Sequence, residues 1–161
     1  MSYLVDGNNV MGQTPGWHRD KANARRRLVE RLAEFARLRK ARVTVVFDGA
    51  PDRLLPEASA FRGVKVLYAD PGSDADTRIQ RLVESSPDAR GLTVVTSDRH
   101  LTFVVRARGA RVVRSGDFRK QMATALAARP APGDGESSEI ANVASVDEWL
   151  RYFGSLPEDD E

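Results

Sequence analysis

Cysteine is absent from this 161-residue chain, and histidine occurs only twice. Without cysteine there are no disulfides and no thiolate metal sites, so a reducing, cytoplasmic compartment is expected. No apolar run approaches the ~18 residues of a membrane-spanning helix. The opening MSYLVDGNN lacks the basic and long apolar stretches of a secretory leader. No membrane partner is therefore expected. GxGxxG and GKS or GKT loops are also missing, which removes the usual cradles for dinucleotides and nucleoside triphosphates. There is no DxDxT, no adjacent acidic pair after the first strand, and no lysine at the end of the last strand (ARVVRSGD). Those absences disfavour a phosphatase or a phospho-receiver.

Charge is plentiful but unevenly placed. Residues 1–129 carry 24 Lys and Arg against 14 Asp and Glu, a balance of +10, whereas residues 130–161 carry Arg151 against nine acids, a balance of −8. Twenty of the 24 basic residues in the body are arginine, the side chain best suited to gripping phosphate through two parallel hydrogen bonds. A basic body points to a polyanionic partner. The segment ARRRLVERLAEFARLRKAR (24–42) concentrates eight basic residues, with Arg27 and Arg31 one helical turn apart as candidate contacts to a nucleic-acid backbone.

Periodicity predicts strands alternating with helices. Strands are expected at 3–6, 42–48, 64–70, 91–98 and 110–114, and helices at 20–40, 73–86, 99–109 and 117–128. Most strands read as continuous apolar runs, which argues for a parallel sheet covered by helices on both faces, an α/β fold. The Pro-, Gly- and Ser-rich stretch after residue 129 reads as a linker over 130–144. Residues 145–161 read as a short helix (SVDEWLRYF) followed by an acidic tail, so the organisation is one domain, 1–129, with an appendage. That tail has the charge to shield a basic groove.

Four apolar runs climb into an aspartate: YLV into Asp6, VTVVF into Asp48, VKVLY through Ala69 into Asp70, and LTVVTS into Asp98. In an open parallel sheet the carboxyl ends of the strands share one edge, where ligands bind. Asp74 and Asp76, opening the next helix, lean toward the same edge. Two carboxylates ~4 Å apart repel by roughly 4 kcal/mol at an effective dielectric near 20. A cation among them relieves that repulsion, and hard oxygen donors suit Mg²⁺ or Mn²⁺. Each aspartate also has a structural reading as a turn or cap residue, with Ser73 and Asp76 as a capping pair. Asp70 before Pro71 is read as turn chemistry and left out of the site.

At these residues the chain resembles a known family. VDGNNVMG at the first strand, FDG at the second, DADTRI opening a helix and TSDRHL after a late strand are similar to the NYN domain of the PIN-like nucleases, in its bacterial YacP-like branch. The resemblance covers about residues 1–125. It implies a three-layer PIN-like fold and a metal-dependent endoribonuclease acting on RNA, free or presented in a larger RNA–protein complex. By motif, Asp6, Asp76 and Asp98 would be catalytic residues holding Mg²⁺ or Mn²⁺, with Asp48 and Asp74 as further candidate ligands. Asn9, Ser97 and Arg99 would contact substrate or orient water, beside Arg27 and Arg31. The alternative is an RNA-binding module of the same fold without turnover.

Overall fold

The computed structural model describes residues 1–128. The linker, short helix and acidic tail expected from residue 130 onward lie outside the described residues. The first compact unit, Met1–Leu126, holds the elements below except Ala127, the last residue of the final helix.

Six strands form one sheet: β1 (Ser2–Asp6), β2 (Arg42–Phe47), β3 (Ser59–Phe61), β4 (Val64–Tyr68), β5 (Leu92–Val95) and β6 (Arg111–Val113). Their spatial order is β3-β4-β2-β1-β5-β6, all parallel except β3, which runs antiparallel to β4 at the edge. Five helices complete the unit: α1 (Gly7–Met11), α2 (Lys21–Arg39), α3 (Ala75–Ser85), α4 (Arg99–Ala107) and α5 (Ser115–Ala127).

Neighbouring strand residues face opposite layers, as the pleat requires. Val5, Val45, Val66 and Val95 pack into a core with Leu28, Leu32 and Phe35 of α2 and Phe118 and Met122 of α5. Leu4, Val46, Leu67 and Val94 pack into a second core with Ile79 and Val83 of α3 and Leu101 and Val105 of α4. Burial on both faces explains the continuous apolar runs, and the three-layer α/β expectation is met. The strands grow outward from β1 toward β2 and β4, then resume on the other side at β5 and β6. The topological switch therefore falls between the carboxyl ends of β1 and β5, where such sheets bind ligands.

Three local expectations are corrected. The turn that was the structural reading of Asp6 is instead the start of a helix, with Gly7-Asn8-Asn9 opening α1. Gly7 permits this because its missing Cβ would lie 2.4 Å from a Phe47 ring carbon. The three-residue strand β3 was not anticipated, being too short to show a period. The strands also stop early: β2 at Phe47, β4 at Tyr68 and β5 at Val95, so only Asp6 is itself a strand residue. Asp48, Asp70 and Asp98 sit on the connections just beyond.

Candidate active site

Asp6 ends β1 and begins α1, so its side chain is delivered to the switch point by the strand and kept there by the turn into the helix. Only 7% of it is exposed. The Thr96 hydroxyl, itself fully buried, donates to Asp6 Oδ2 at 3.2 Å. Burial raises the Asp6 carboxyl from 3.8 to about 6; Thr96 and the Asn9 amide offset part of that, and the carboxylates of Asp48 and Asp76 raise it further. A buried acid with acidic neighbours is a site short of positive charge.

Thr96 does a second job. Its hydroxyl oxygen accepts from the Asp98 amide at 3.1 Å, so one side chain ties β1 to the start of α4. Asp98 is the N-cap of α4, with Oδ1 accepting from the Leu101 amide at 2.8 Å. Ser97 and Arg99 flank it, both exposed on the edge. The Ser97 hydroxyl accepts from the Ser115 amide at 3.1 Å, which brings the N-terminus of α5 to the same place.

The Asn9 side chain knits these pieces together. Its Oδ1 accepts from the Ser97 amide at 2.8 Å and from the Ser115 hydroxyl. The oxygen expected to orient water or phosphate is thus occupied in tying α1 to the connection after β5 and to the start of α5.

Three acids gather at the start of α3. Asp74 caps it, Oδ1 accepting from the Thr77 amide at 2.8 Å, which holds its carboxyl below the usual range. The cap is therefore Asp74–Thr77, not the Ser73–Asp76 pair of the structural alternative. Asp74 is exposed. Asp76 follows in the first turn, half-buried. Burial raises its carboxyl, Gln80 lowers it, Asp98 and Asp74 raise it again, and His100 lowers it. Asp48 reaches the same helix from the sheet: its Oδ1 accepts from the Ala75 amide at 2.6 Å. Asp70 lies outside the group, exposed and paired with Arg81 at 3.0 Å.

Arg27 and Arg31 sit on α2, both half-buried. Burial, then the neighbouring Arg119 of α5, holds the Arg31 guanidinium below its ordinary range. Two helices thus bring like charge together on the layer opposite α3 and α4.

The donors at this edge are all carboxylate oxygens, the chemistry of a hard divalent cation. Among the described residues no three acidic or histidine side chains converge closely enough to hold one ion as they stand. Asp48, Asp74 and Asp98 each commit one oxygen to a helix amide and keep the other. Mg²⁺ commonly uses one or two carboxylates and keeps several waters, so the donor set fits the ion in type.

A mainly parallel sheet with a buried aspartate at its switch point and further acids on the helices beside it defines a nuclease-type domain of the PIN-like superfamily. The chain belongs to the YacP-like NYN domain family, whose sequence profile matches residues 3–138. It is 32% identical over 112 residues to a Bacillus subtilis (strain 168) protein described as uncharacterized protein YacP; the match covers 66% of each chain, just under two thirds of the relative's length. The crystal structure of Rae1 (YacP) from Bacillus subtilis is similar at a TM-score of 0.71 and 26% identity, over 99% of this chain and 96% of that one. The W164L mutant of that protein gives a TM-score of 0.63 at 28% identity, over 78% of this chain and 76% of the other. No helix among the described residues is long and apolar enough to cross a membrane.

Sequence reasoning missed Thr96, Ser115, Arg25 and Asn8. Thr96 had a local clue in its place two residues before Asp98. Ser115 had none, because its partner Asn9 lies 106 positions earlier.

Proposed function

We propose that this protein is a metal-dependent endoribonuclease, cutting RNA phosphodiester bonds at the carboxyl edge of the sheet beside β1 and β5. The observation that carries the reading is the burial of Asp6 at the switch point with Asp48 and Asp76 as acidic neighbours. Asp6, Asp76 and Asp98 are the residues that would hold Mg²⁺ or Mn²⁺, with the exposed Asp74 at the rim. A bound divalent cation supplies a lowered pKa for a coordinated water and neutralises charge on the phosphate.

The remaining work falls to the chain. Thr96 fixes the Asp6 carboxylate through its hydroxyl and the Asp98 backbone through its oxygen, so the acid ending β1 and the acid capping α4 keep one spacing. Arg99 and the Ser97 hydroxyl stand at the N-terminal end of α4, where helix amides and a guanidinium favour an approaching phosphate. Arg27 and Arg31 extend positive charge along α2 for the RNA backbone. Water is the nucleophile and the 3′-oxygen the leaving group, the P–O3′ bond breaking as the new P–O bond forms, so the products carry a 5′-phosphate and a 3′-hydroxyl.

The second reading is an RNA-binding module of the same fold without turnover, for which the arginine-rich body would suffice. Product-end analysis separates the two. Labelled RNA and matching DNA are incubated with the protein and Mg²⁺ or Mn²⁺, and the fragment ends are typed. Fragments from RNA with 5′-phosphates support the nuclease. Ends bearing 2′,3′-cyclic phosphate would contradict the proposed chemistry, cutting of DNA alone would contradict the substrate, and binding without fragments would leave the module.

A further inference from the structure

Asp48 stands apart from the other acids in how it is held. Its amide donates to Asn8 Oδ1 of α1 at 2.9 Å. Its carbonyl accepts from the Arg25 guanidinium, which also donates to the Ala50 carbonyl at 3.0 Å. Arg25 comes from α2, is 8% exposed, and has its guanidinium carbon 5.5 Å from the Phe47 ring centre and 5.1 Å from that of Tyr68. A cation pressed onto two aromatic rings while binding two carbonyls is a rigid clamp. The turn it grips needs Gly49, whose φ is +86° and whose Cβ would come 3.1 Å from Arg25 Nη2. Backbone, amide and carbonyl of residue 48 are all spoken for before its carboxylate is considered.

That carboxylate then points at one target. Ala75 is the first residue of α3 and 1% exposed, so its amide has neither an intrahelical acceptor nor ready access to water. Asp48 Oδ1 accepts it at 2.6 Å. Asp74 serves the Thr77 amide of the same helix, but Asp74 is part of the chain entering α3 and cannot fix α3 against the sheet. Asp48 can, because it is anchored to β2, α1 and α2. Asp76 is the residue after Ala75, and its backbone moves with that amide.

We infer that Asp48 is a positioning residue: clamped by Arg25 and Asn8, it pins the N-terminus of α3 through the Ala75 amide and so sets where Asp76 stands relative to Asp6. This rests on the nuclease reading above for its functional consequence, and on geometry alone for its structural part. Asp48 acts as a hydrogen-bond acceptor, not as a charge held for the metal. Asparagine keeps the acceptor and loses the charge, whereas alanine loses both.

Two readouts test it. Hydrogen exchange at the Ala75 amide should stay slow in the wild type and in Asp48→Asn, and rise about tenfold or more in Asp48→Ala. Unchanged Ala75 exchange in a folded Asp48→Ala protein would overturn the proposal, whether or not the protein cuts RNA. On the functional side, Mg²⁺ affinity by calorimetry should fall less than about threefold in Asp48→Asn but collapse in Asp6→Asn. Cleavage should drop about 100-fold in Asp48→Ala, the cost of a misplacement near 1 Å, and recover to within about tenfold of wild type in Asp48→Asn. Asp48→Asn losing Mg²⁺ binding as completely as Asp6→Asn would make Asp48 a direct ligand and overturn the proposal. If the wild type neither binds Mg²⁺ nor cuts, the nuclease reading fails, and Ala75 exchange still decides the role of Asp48.

Discussion

Replacing Asp6 by asparagine should stabilise the fold while abolishing cleavage. Burial chiefly, with Asp48 and Asp76 adding to it, raises the folded-state carboxyl to about 6 from 3.8. At 1.36 kcal/mol per unit, keeping Asp6 ionised at neutral pH costs the native state about 3 kcal/mol. Because the folded value lies above the unfolded one, the favourable contribution is complete below about pH 4 and is lost as pH rises through about 6. Asparagine carries no charge and still offers an oxygen to the Thr96 hydroxyl, so most of the cost disappears. A net gain of about 2 kcal/mol is expected near pH 7.5, or about 4–8 °C in Tm for a chain of this size. The assay is urea denaturation of both proteins in EDTA across the pH range from about 4 to 8. The stability gap should widen with rising pH and close near pH 4. Added Mg²⁺ should restore the wild type by mass action and leave Asp6→Asn unmoved. A variant less stable than wild type at neutral pH, or a gap independent of pH, would refute the reasoning.

Other perturbations test other parts. Thr96→Val takes the hydroxyl donor from the buried Asp6 carboxylate and the acceptor from the part-buried Asp98 amide, so it should cost about 1–3 kcal/mol and slow cleavage, with Thr96→Ser recovering most of both; denaturation and single-turnover kinetics read the pair. Asp74→Ala removes an exposed cap, costing about 1 kcal/mol with cleavage kept within a few-fold, because its carboxylate serves Thr77; a loss matching Asp76→Ala would make it a ligand. Gly7→Ala drives a methyl into the Phe47 ring and should cost about 1–3 kcal/mol, measured by thermal unfolding. Changing Arg27, Arg31 and Arg119 together to glutamine should flatten the log–log salt slope of RNA binding by about 2, at about 0.7 per phosphate contact.

The layered fold was legible because its strands are buried on both faces. Runs such as RVTVVF and VKVLY carry that signal, and the cap reading of Asp98 marks where α4 begins, whereas the caps at Asp20 and Asp74 were not read from the sequence. Gly7-Asn8-Asn9 holds turn-favouring residues yet opens α1, and what requires glycine at position 7 is a tertiary contact, the close approach to Phe47. The acidic edge was legible as a set of strand-end aspartates, since topology alone brings them together. What each acid does was not. Asp48 and Asp98 turn an oxygen to a helix amide, and Asn9 bonds Ser97 and Ser115, partners about ninety and more positions away. Hydrogen bonds across that separation leave no spacing signal. Arg25 reads as one of eight basic residues in the segment 24–42, yet it is the buried one that clamps the turn after β2.

The most direct test of the central claim is cleavage of end-labelled RNA by wild type and Asp6→Asn, each in EDTA, Mg²⁺ or Mn²⁺. The account predicts cutting by wild type only, only with metal, while Asp6→Asn stays folded and inactive. Cutting that persists in EDTA or in Asp6→Asn would contradict it, and so would RNA bound without cutting under every condition.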